Sequence, residues 1–340
     1  MTQPVFLLSL QRSGSTLLHR LLATHSQIAA TGETWLLLPH LYATRLDGVY
    51  AEYGHARAVQ GLRDFSAQLP GGIEDYRAAL RGLVTGLFEK AAQGKRYFLE
   101  KTPLYAYVAP ELCELFPDAK LIFMWRNPLA IVASIINSWG TAGKWNVYSS
   151  ERDLTVGLRR LADAYVDHRD RAHALRFEDL VGDPETELKR VLEYLELQYE
   201  EELLEKFPGT HFSGNYAGDS LGIRAYSGVS REPLDKWRAT LTGPLRRRWC
   251  ANYLRRIGQE RLAVMGYDLD ALLRQLASVP PAFDDVVSDA VRMTYGRLWQ
   301  AAERNLLRKR GQRRWLLDGL ADRLKKRQMG VGGLPPSLDA

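Results

Sequence analysis

Cysteine is nearly absent from this chain of 340 residues. Cys113 and Cys250 are the only two, and neither sits in a CxxC or Cys/His cluster, so nothing in the sequence supports a disulfide framework or a structural zinc motif. Both read as small core or surface residues of a reducing compartment. The seven histidines, at 19, 25, 40, 55, 168, 173 and 211, show no metal-ligand spacing, and no metal is expected. Long apolar runs are missing as well. Nothing approaches the roughly 20 residues that span a bilayer, and an apolar strand pattern beginning almost at Met1 leaves no room for a signal peptide. A cytoplasmic protein is the expectation. The formal charge of +6 is confined to one region: Arg304 to Arg327 holds ten Lys/Arg against Asp318 and Asp322, or +8, leaving −2 for the rest. The basic balance belongs to the tail and gives the body no claim on nucleic acid. With 46% hydrophobic residues, the chain can bury one large domain with an appendage, or two domains.

What is present is concentrated in PVFLLSLQRSGSTLLHRLLATH, Pro4 to His25. Val5, Phe6, Leu7, Leu8 and Leu10 suit a buried strand, Gln11 to Ser15 a polar turn, and Leu17, Leu18, Leu21 and Leu22 recur at helical spacing. The first N–H groups of a helix that starts there point into the loop without partners, and with the positive end of the dipole they form a seat for a phosphate or sulfonate. Arg12 adds charge, Gly14 lets the backbone approach, and Ser13, Ser15 and Thr16 add hydroxyls. The alternative is an ordinary strand-to-helix turn whose Ser and Thr cap the helix. The loop lacks the first glycine of GxxxxGK[ST] and has no Gly-Lys pair, which argues against a nucleotide triphosphatase.

Further strands are expected at Tyr97–Leu99, Lys120–Trp125 and His173–Phe177, each followed by a helical pattern. Such alternation implies an α/β protein with a parallel sheet flanked by helices, whose ligands gather at the carboxyl ends of the strands. Residues 40–96 read as a helical insertion, His211–Pro233 as a long surface loop, and the chain divides into a main domain, 1–270, and a basic helical extension, 271–340. In LIFMWRNPLAIVASIINSW, Arg126 stands at a strand end and Ser134 two turns into the next helix. A nucleoside triphosphatase would place an acidic metal-binding residue at such a strand end. Two cationic strand ends suit a ligand with two separated phosphate groups.

The pairing of LQRSGSTLLHRLL with FMWRNPLAIVASI resembles the donor-binding signatures of sulfotransferases that use 3′-phosphoadenosine-5′-phosphosulfate (PAPS). RFEDLVGDPETELKRVLEYL and the later SREPLDKW resemble the segments that follow in that family, in order, from Pro4 to about Asp270. The resemblance implies a P-loop-NTPase-like sulfotransferase fold that moves a sulfuryl group from PAPS to a hydroxyl without a metal. It assigns Arg12, Ser13, Gly14, Ser15 and Thr16 to the 5′-phosphosulfate, Arg126 and Ser134 to the 3′-phosphate, and Arg231 to a closing loop, although the Arg-Lys-Gly pattern of the cytosolic branch is replaced there by Ser230, Arg231 and Glu232. Cytosolic relatives often carry a Lys-Thr-His run whose histidine takes the acceptor's proton. This chain reads Lys101-Thr102-Pro103, and proline is no base. Glu33 in TGETWLLLP is similar to the glutamate of the tyrosylprotein and Golgi-type branch, which implies that it is the base; the alternative is a helix-start acid capping with Thr31. Lys101 resembles the family's lysine near the donor's bridging oxygen.

No motif encodes the acceptor. A saccharide, glycolipid or other lipid-linked alcohol is expected first, because the tail suits a membrane surface, and a peptidyl tyrosine second, because of Glu33; a P-loop kinase-like enzyme is the rival class. Trp35, Trp139 and Trp145 could line a pocket or belong to the core. Val291, Tyr295 and Leu298, then Leu317, Leu320 and Leu324, align on helical faces, which fits a helix lying on an anionic membrane, and equally one docked on a second subunit or on the chain's own core. The protein is thus expected to be cytoplasmic and peripheral to a membrane.

Overall fold

In the computed structural model, residues 2–46, 48–49, 51–138, 143–212 and 228–308 are described. At the centre lies β1 (Gln3–Ser9), with every residue from Pro4 onward buried. Alternation along a strand sends neighbouring side chains to opposite faces. Phe6 and Leu8 accordingly enter one core, and Val5 and Leu7 a second. A strand buried on both faces reads as a continuous apolar run, as this one does.

Four more strands complete a parallel sheet: β2 (Ile28–Ala30), β3 (Tyr97–Glu100), β4 (Lys120–Trp125) and β5 (Ala172–Arg176), in the order β2-β3-β1-β4-β5. Three of them match the expected strands, β5 one residue early, because Phe177 opens a helix. The expected pattern omits β2, whose three residues are too few to show a period and take strand form by pairing with Tyr97–Leu99. With β3 on one side of β1 and β4 on the other, the chain switches direction at the centre of the sheet, where a crevice opens beyond the strands' carboxyl ends.

Helices cover both faces. α1 (Ser15–Ala23) packs on the side of Val5 and Leu7, together with the first three helices that follow β5. On the other side lie α2 (Leu37–Tyr42), α3 (His55–Ser66), α4 (Ile73–Ala92), α5 (Ala109–Leu115), α6 (Pro128–Ile136) and α7 (Leu158–His168). Between 40 and 96 the described residues include the end of α2 and all of α3 and α4, and α4 packs this stretch on the sheet: Leu80, Val84, Phe88 and Ala92, one stripe at four-residue spacing, are buried, and the Phe88 ring stacks on Phe98 at 4.4 Å. Each large apolar side chain so buried contributes about 1.5–3 kcal/mol.

After β5 come α8 (Phe177–Gly182), α9 (Pro184–Tyr194) and α10 (Leu203–Lys206), then α11 (Lys236–Thr240), α12 (Pro244–Ile257), α13 (Gln259–Val264), α14 (Leu269–Ala277) and α15 (Val286–Arg308). The division expected at 270/271 falls inside α14, whose Leu272 and Leu276 belong to the larger core. α15 is tied to α12 by a buried ion pair: Arg246 Nε donates to Asp289 Oδ2 at 2.6 Å and its Nη2 to Asp289 Oδ1 at 2.9 Å, while Nη1 donates to Thr240 O at 3.0 Å. Val291, Tyr295 and Leu298 stay exposed on α15. The basic tail beyond 308, with Leu317, Leu320 and Leu324, lies outside the described residues, as do Trp139 and most of the loop expected at His211–Pro233.

Candidate active site

The loop after β1 turns through two left-handed residues, Arg12 at φ 63° and Gly14 at φ 86°. Gly14 is required twice over. L-residues with a Cβ pay to enter this region, and a Cβ here would lie 2.2 Å from Cδ2 of Phe177. α1 then starts with no side-chain cap and no acid in its first turn. Ser13 and Ser15 therefore do not cap it. The first N–H groups of α1 precede its first hydrogen-bonded turn, and together with the helix dipole they provide an anion seat.

A second cation comes from β4. Arg126, buried at the strand's end, donates from Nη1 to the carbonyl of Arg12 at 2.8 Å and from Nη2 to that of Pro233 at 3.3 Å, and its guanidinium lies over the Phe177 ring at 4.4 Å. Arg12 in turn donates from Nε to Ser134 Oγ at 3.1 Å. The two expected subsites are therefore one linked structure: the β1 loop supplies Arg12 to the serine of α6, and β4 supplies Arg126 to the backbone of the β1 loop. Phe177 is the floor on which Gly14 and Arg126 both rest. Sequence reasoning gave Phe177 no role, although it stands in the quoted RFEDL. The following Glu178 braces the same strand end, accepting from Asn127 N at 2.9 Å and from Tyr267 OH at 2.7 Å.

Thr16 lies in the first turn of α1, half-buried. Arg231, expected in a closing loop, lies against the end of α8. Its guanidinium donates to the carbonyls of Val181 and Gly182 at the end of α8, where the helix dipole favours a cation. Its loop still reaches the donor side through Pro233, which accepts from Arg126.

The end of β3 and the segment after β2 carry the second half of the site. Lys101 Nζ donates to Glu33 Oε1 at 2.7 Å, with the two side chains only 2% and 15% exposed. Glu33 lies in the irregular stretch between β2 and α2, and α2 has no acid in its first turn. Thr31 Oγ1 donates to Gly32 O. The capping alternative for Glu33 thus has no counterpart here. Beside the pair, Glu100 Oε1 accepts from Thr34 Oγ1 at 3.0 Å and from Thr102 Oγ1 at 2.8 Å. Burial pushes the Glu100 carboxyl up to about 7, against the opposing pull of those hydroxyls.

His19 was not singled out by the sequence. It is fully buried on α1, stacked on Phe212 at 4.4 Å, and burial first and the Lys101 charge second push its imidazole well below the usual range. His25 is structural, with Nε2 on Gln198 O at 2.9 Å and Nδ1 accepting from Gln27 N at 3.0 Å. Trp145 is core, edge-on to Trp249 at 5.2 Å. Trp35, two residues after Glu33, is 37% exposed.

An uncapped helix start and two arginines thus stand at the ends of β1 and β4 of an α/β domain whose loop lacks the lysine of a nucleoside triphosphatase. Residues 4–201 match the profile described as the sulfotransferase family, and the chain belongs to that family. It is 32% identical over 232 residues to a nodulation protein, NoeE, of Sinorhizobium fredii, an alignment covering 66% of this chain and 52% of that protein. It is 24% identical to protein-tyrosine sulfotransferase 1 of Danio rerio (68% and 65% covered). It is 23% identical to the omega-hydroxy-beta-dihydromenaquinone-9 sulfotransferase Stf3 of Mycobacterium tuberculosis (57% and 63% covered). The chain thus spans about half the length of the first of these relatives and less than two thirds of the other two.

Proposed function

We propose that this protein transfers a sulfuryl group from PAPS to a hydroxyl acceptor. The observation that carries the reading is the convergence of two cationic strand ends, Arg12 with Ser134 and Arg126, on a crevice whose third strand end holds the buried Lys101–Glu33 pair. The uncapped start of α1 and the hydroxyls of Ser13, Ser15 and Thr16 fit the 5′-phosphosulfate; Arg126 and Ser134 fit the 3′-phosphate. Arg12, bonded to Ser134, bridges the two. Arg231 would join them only by leaving the end of α8.

Bound here, PAPS supplies an activated sulfuryl group and a phosphate leaving group. Glu33 accepts the proton of the acceptor hydroxyl as its oxygen attacks. Lys101, at hydrogen-bonding distance from that carboxylate, stabilises negative charge gathering on the leaving oxygen. In-line positioning and charge stabilisation dominate such transfers, since the protein has little covalent work to do.

For the acceptor, a saccharide, glycolipid or other lipid-linked alcohol is favoured by the basic segment Arg304–Arg327, which suits an anionic membrane surface, and by the exposed apolar residues of α15. A relative named for its action on a hydroxylated menaquinone supports the lipid alcohol. A peptidyl tyrosine is the second reading, favoured by Glu33 and by the relatives named protein-tyrosine sulfotransferase. Calorimetry with adenosine 3′,5′-bisphosphate tests the donor site, and mass spectrometry of cell extracts incubated with PAPS finds what gains a sulfate. No heat of binding for the bisphosphate would refute the reading.

A further inference from the structure

Glu33 stands on residues 31–36, which belong neither to β2 nor to α2, so the geometry of the base must be set by side chains. Consecutive residues at the end of β3 grip consecutive residues of that segment: Lys101 takes Glu33 and Glu100 takes Thr34. Thr102 closes the network from the other side, donating to the same Glu100 oxygen and accepting the N–H of Trp35 at 3.3 Å, where the backbone is left-handed at φ 56°. Tyr105 OH accepts the N–H of Leu37 at 3.1 Å and lies 3.4 Å from Thr34 Oγ1. Lys101 thus anchors Glu33 itself, while Thr34 and the N–H of Trp35 are tied to Glu100 directly or through Thr102.

We propose that Glu100 is the positioning residue that holds Glu33 against Lys101, acting through Thr34 and Thr102 without touching the substrate. This rests on the reading of Glu33 as the base. A carboxyl is an expensive group to bury, and here its one well-bonded oxygen serves the segment that carries the base. Two hydroxyls on a single acceptor fix both the height of the segment and its direction, and misplacing a reacting group by about 1 Å can cost about 10²-fold in rate.

The test uses the full chain and the variants E100A, E100Q, T34V, E33Q and E33Q/E100A. Three quantities are read: amide hydrogen exchange in peptides spanning 31–37, affinity for adenosine 3′,5′-bisphosphate, and the initial rate of radiolabelled sulfuryl transfer into extract acceptors. E100A and T34V are expected to speed exchange in 31–37 by about tenfold or more through local opening, to leave bisphosphate affinity within about twofold, and to slow transfer by about 10²-fold. E100Q, which keeps an acceptor oxygen, restores exchange and rate, and E100A adds nothing on the E33Q background. Unchanged exchange at 31–37, loss of bisphosphate affinity, or an additive loss in the double variant overturns the proposal. If E100A fails to fold, T34V carries the same readings. If E33Q alone keeps its transfer rate, the base assignment fails, and the exchange data still decide whether Glu100 holds the segment.

Discussion

In the proposed donor site Arg12 and Arg126 would hold different phosphates, yet they share one backbone, since Arg126 is bonded to the carbonyl of Arg12. Arg12→Ala and Arg126→Ala are each expected to abolish tight binding of adenosine 3′,5′-bisphosphate in calorimetry, because each removes a charge-assisted contact; binding like the parent in both would remove the donor-site assignment. Glu33→Gln should keep that affinity while lowering the transfer rate roughly 10²–10⁴-fold, the span of a general base. A rate near the parent's would turn attention to other bases. Glu100 adds a pH signature. Its carboxyl titrates at about 7 when folded against 4.5 in the reference state, so the folded state holds more protons between those values. Stability therefore falls as pH rises through that window, by about 3 kcal/mol from this residue. His19, depressed by burial, acts in the opposite sense, losing stability as pH falls below its ordinary range. Subtracting the profile of Glu100→Gln from that of the parent isolates the first slope, and denaturant unfolding at pH 4.5 and 7.5 measures it. Equal profiles would show that Glu100 does not titrate there.

At the scale of elements, the donor loop works because β5 delivers Phe177 beneath it. Gly14→Ala meets both a left-handed backbone and a ring 2.2 Å away, so it should destabilise the protein by about 1–3 kcal/mol and weaken bisphosphate binding together with stability. Phe177→Ala should relieve that clash, so the double variant should lose less than the sum of the two single losses in thermal unfolding. Strict additivity would mean that the loop does not rest on the ring. α4 holds the insertion by a single apolar stripe, and Phe88→Ala, which empties the stacked pair with Phe98, is expected to cost about 3–5 kcal/mol without altering ligand affinity.

For the molecule as a whole, α15 is bound to the body through Arg246, which pairs with Asp289 and with Asp285, and removing both acids leaves a buried charge alone, at a cost of about 3–5 kcal/mol. A chain cut at Pro280 would therefore be destabilised for a reason unrelated to membranes. A chain ending at Arg308 keeps Asp289 and loses Lys309, Arg310, Arg313, Arg314, Arg323, Lys325, Lys326 and Arg327. If the tail serves a membrane, the full chain should co-sediment with vesicles containing anionic lipid, and the chain ending at Arg308 should bind much less. Binding indifferent to lipid charge and to this truncation would leave the exposed face of α15 to a second copy of the chain.

Much of this was legible along the chain, because the information is local. The strand–loop–helix at Pro4–His25 shows its period and its Gly14 within a few residues, β3 and β4 announce themselves as apolar runs followed by helical ones, and β5, with His173 and Arg176 in its five residues, shows mainly through the helical pattern after it. Arg126 could be placed at a strand end because the run it closes is short and unbroken. β2 could not be read, since three residues carry no period and become a strand only against β3. The same holds for the contacts that link distant segments: Arg12 with Ser134, Gly14 with Phe177, Glu100 with Thr34, and Arg231 with the end of α8. Local pattern determines which residues form an element and which end of it faces the crevice. Which side chains then meet there depends on the order β2-β3-β1-β4-β5 and on close packing between segments 50 to more than 150 residues apart, and that is decided only when the sheet assembles.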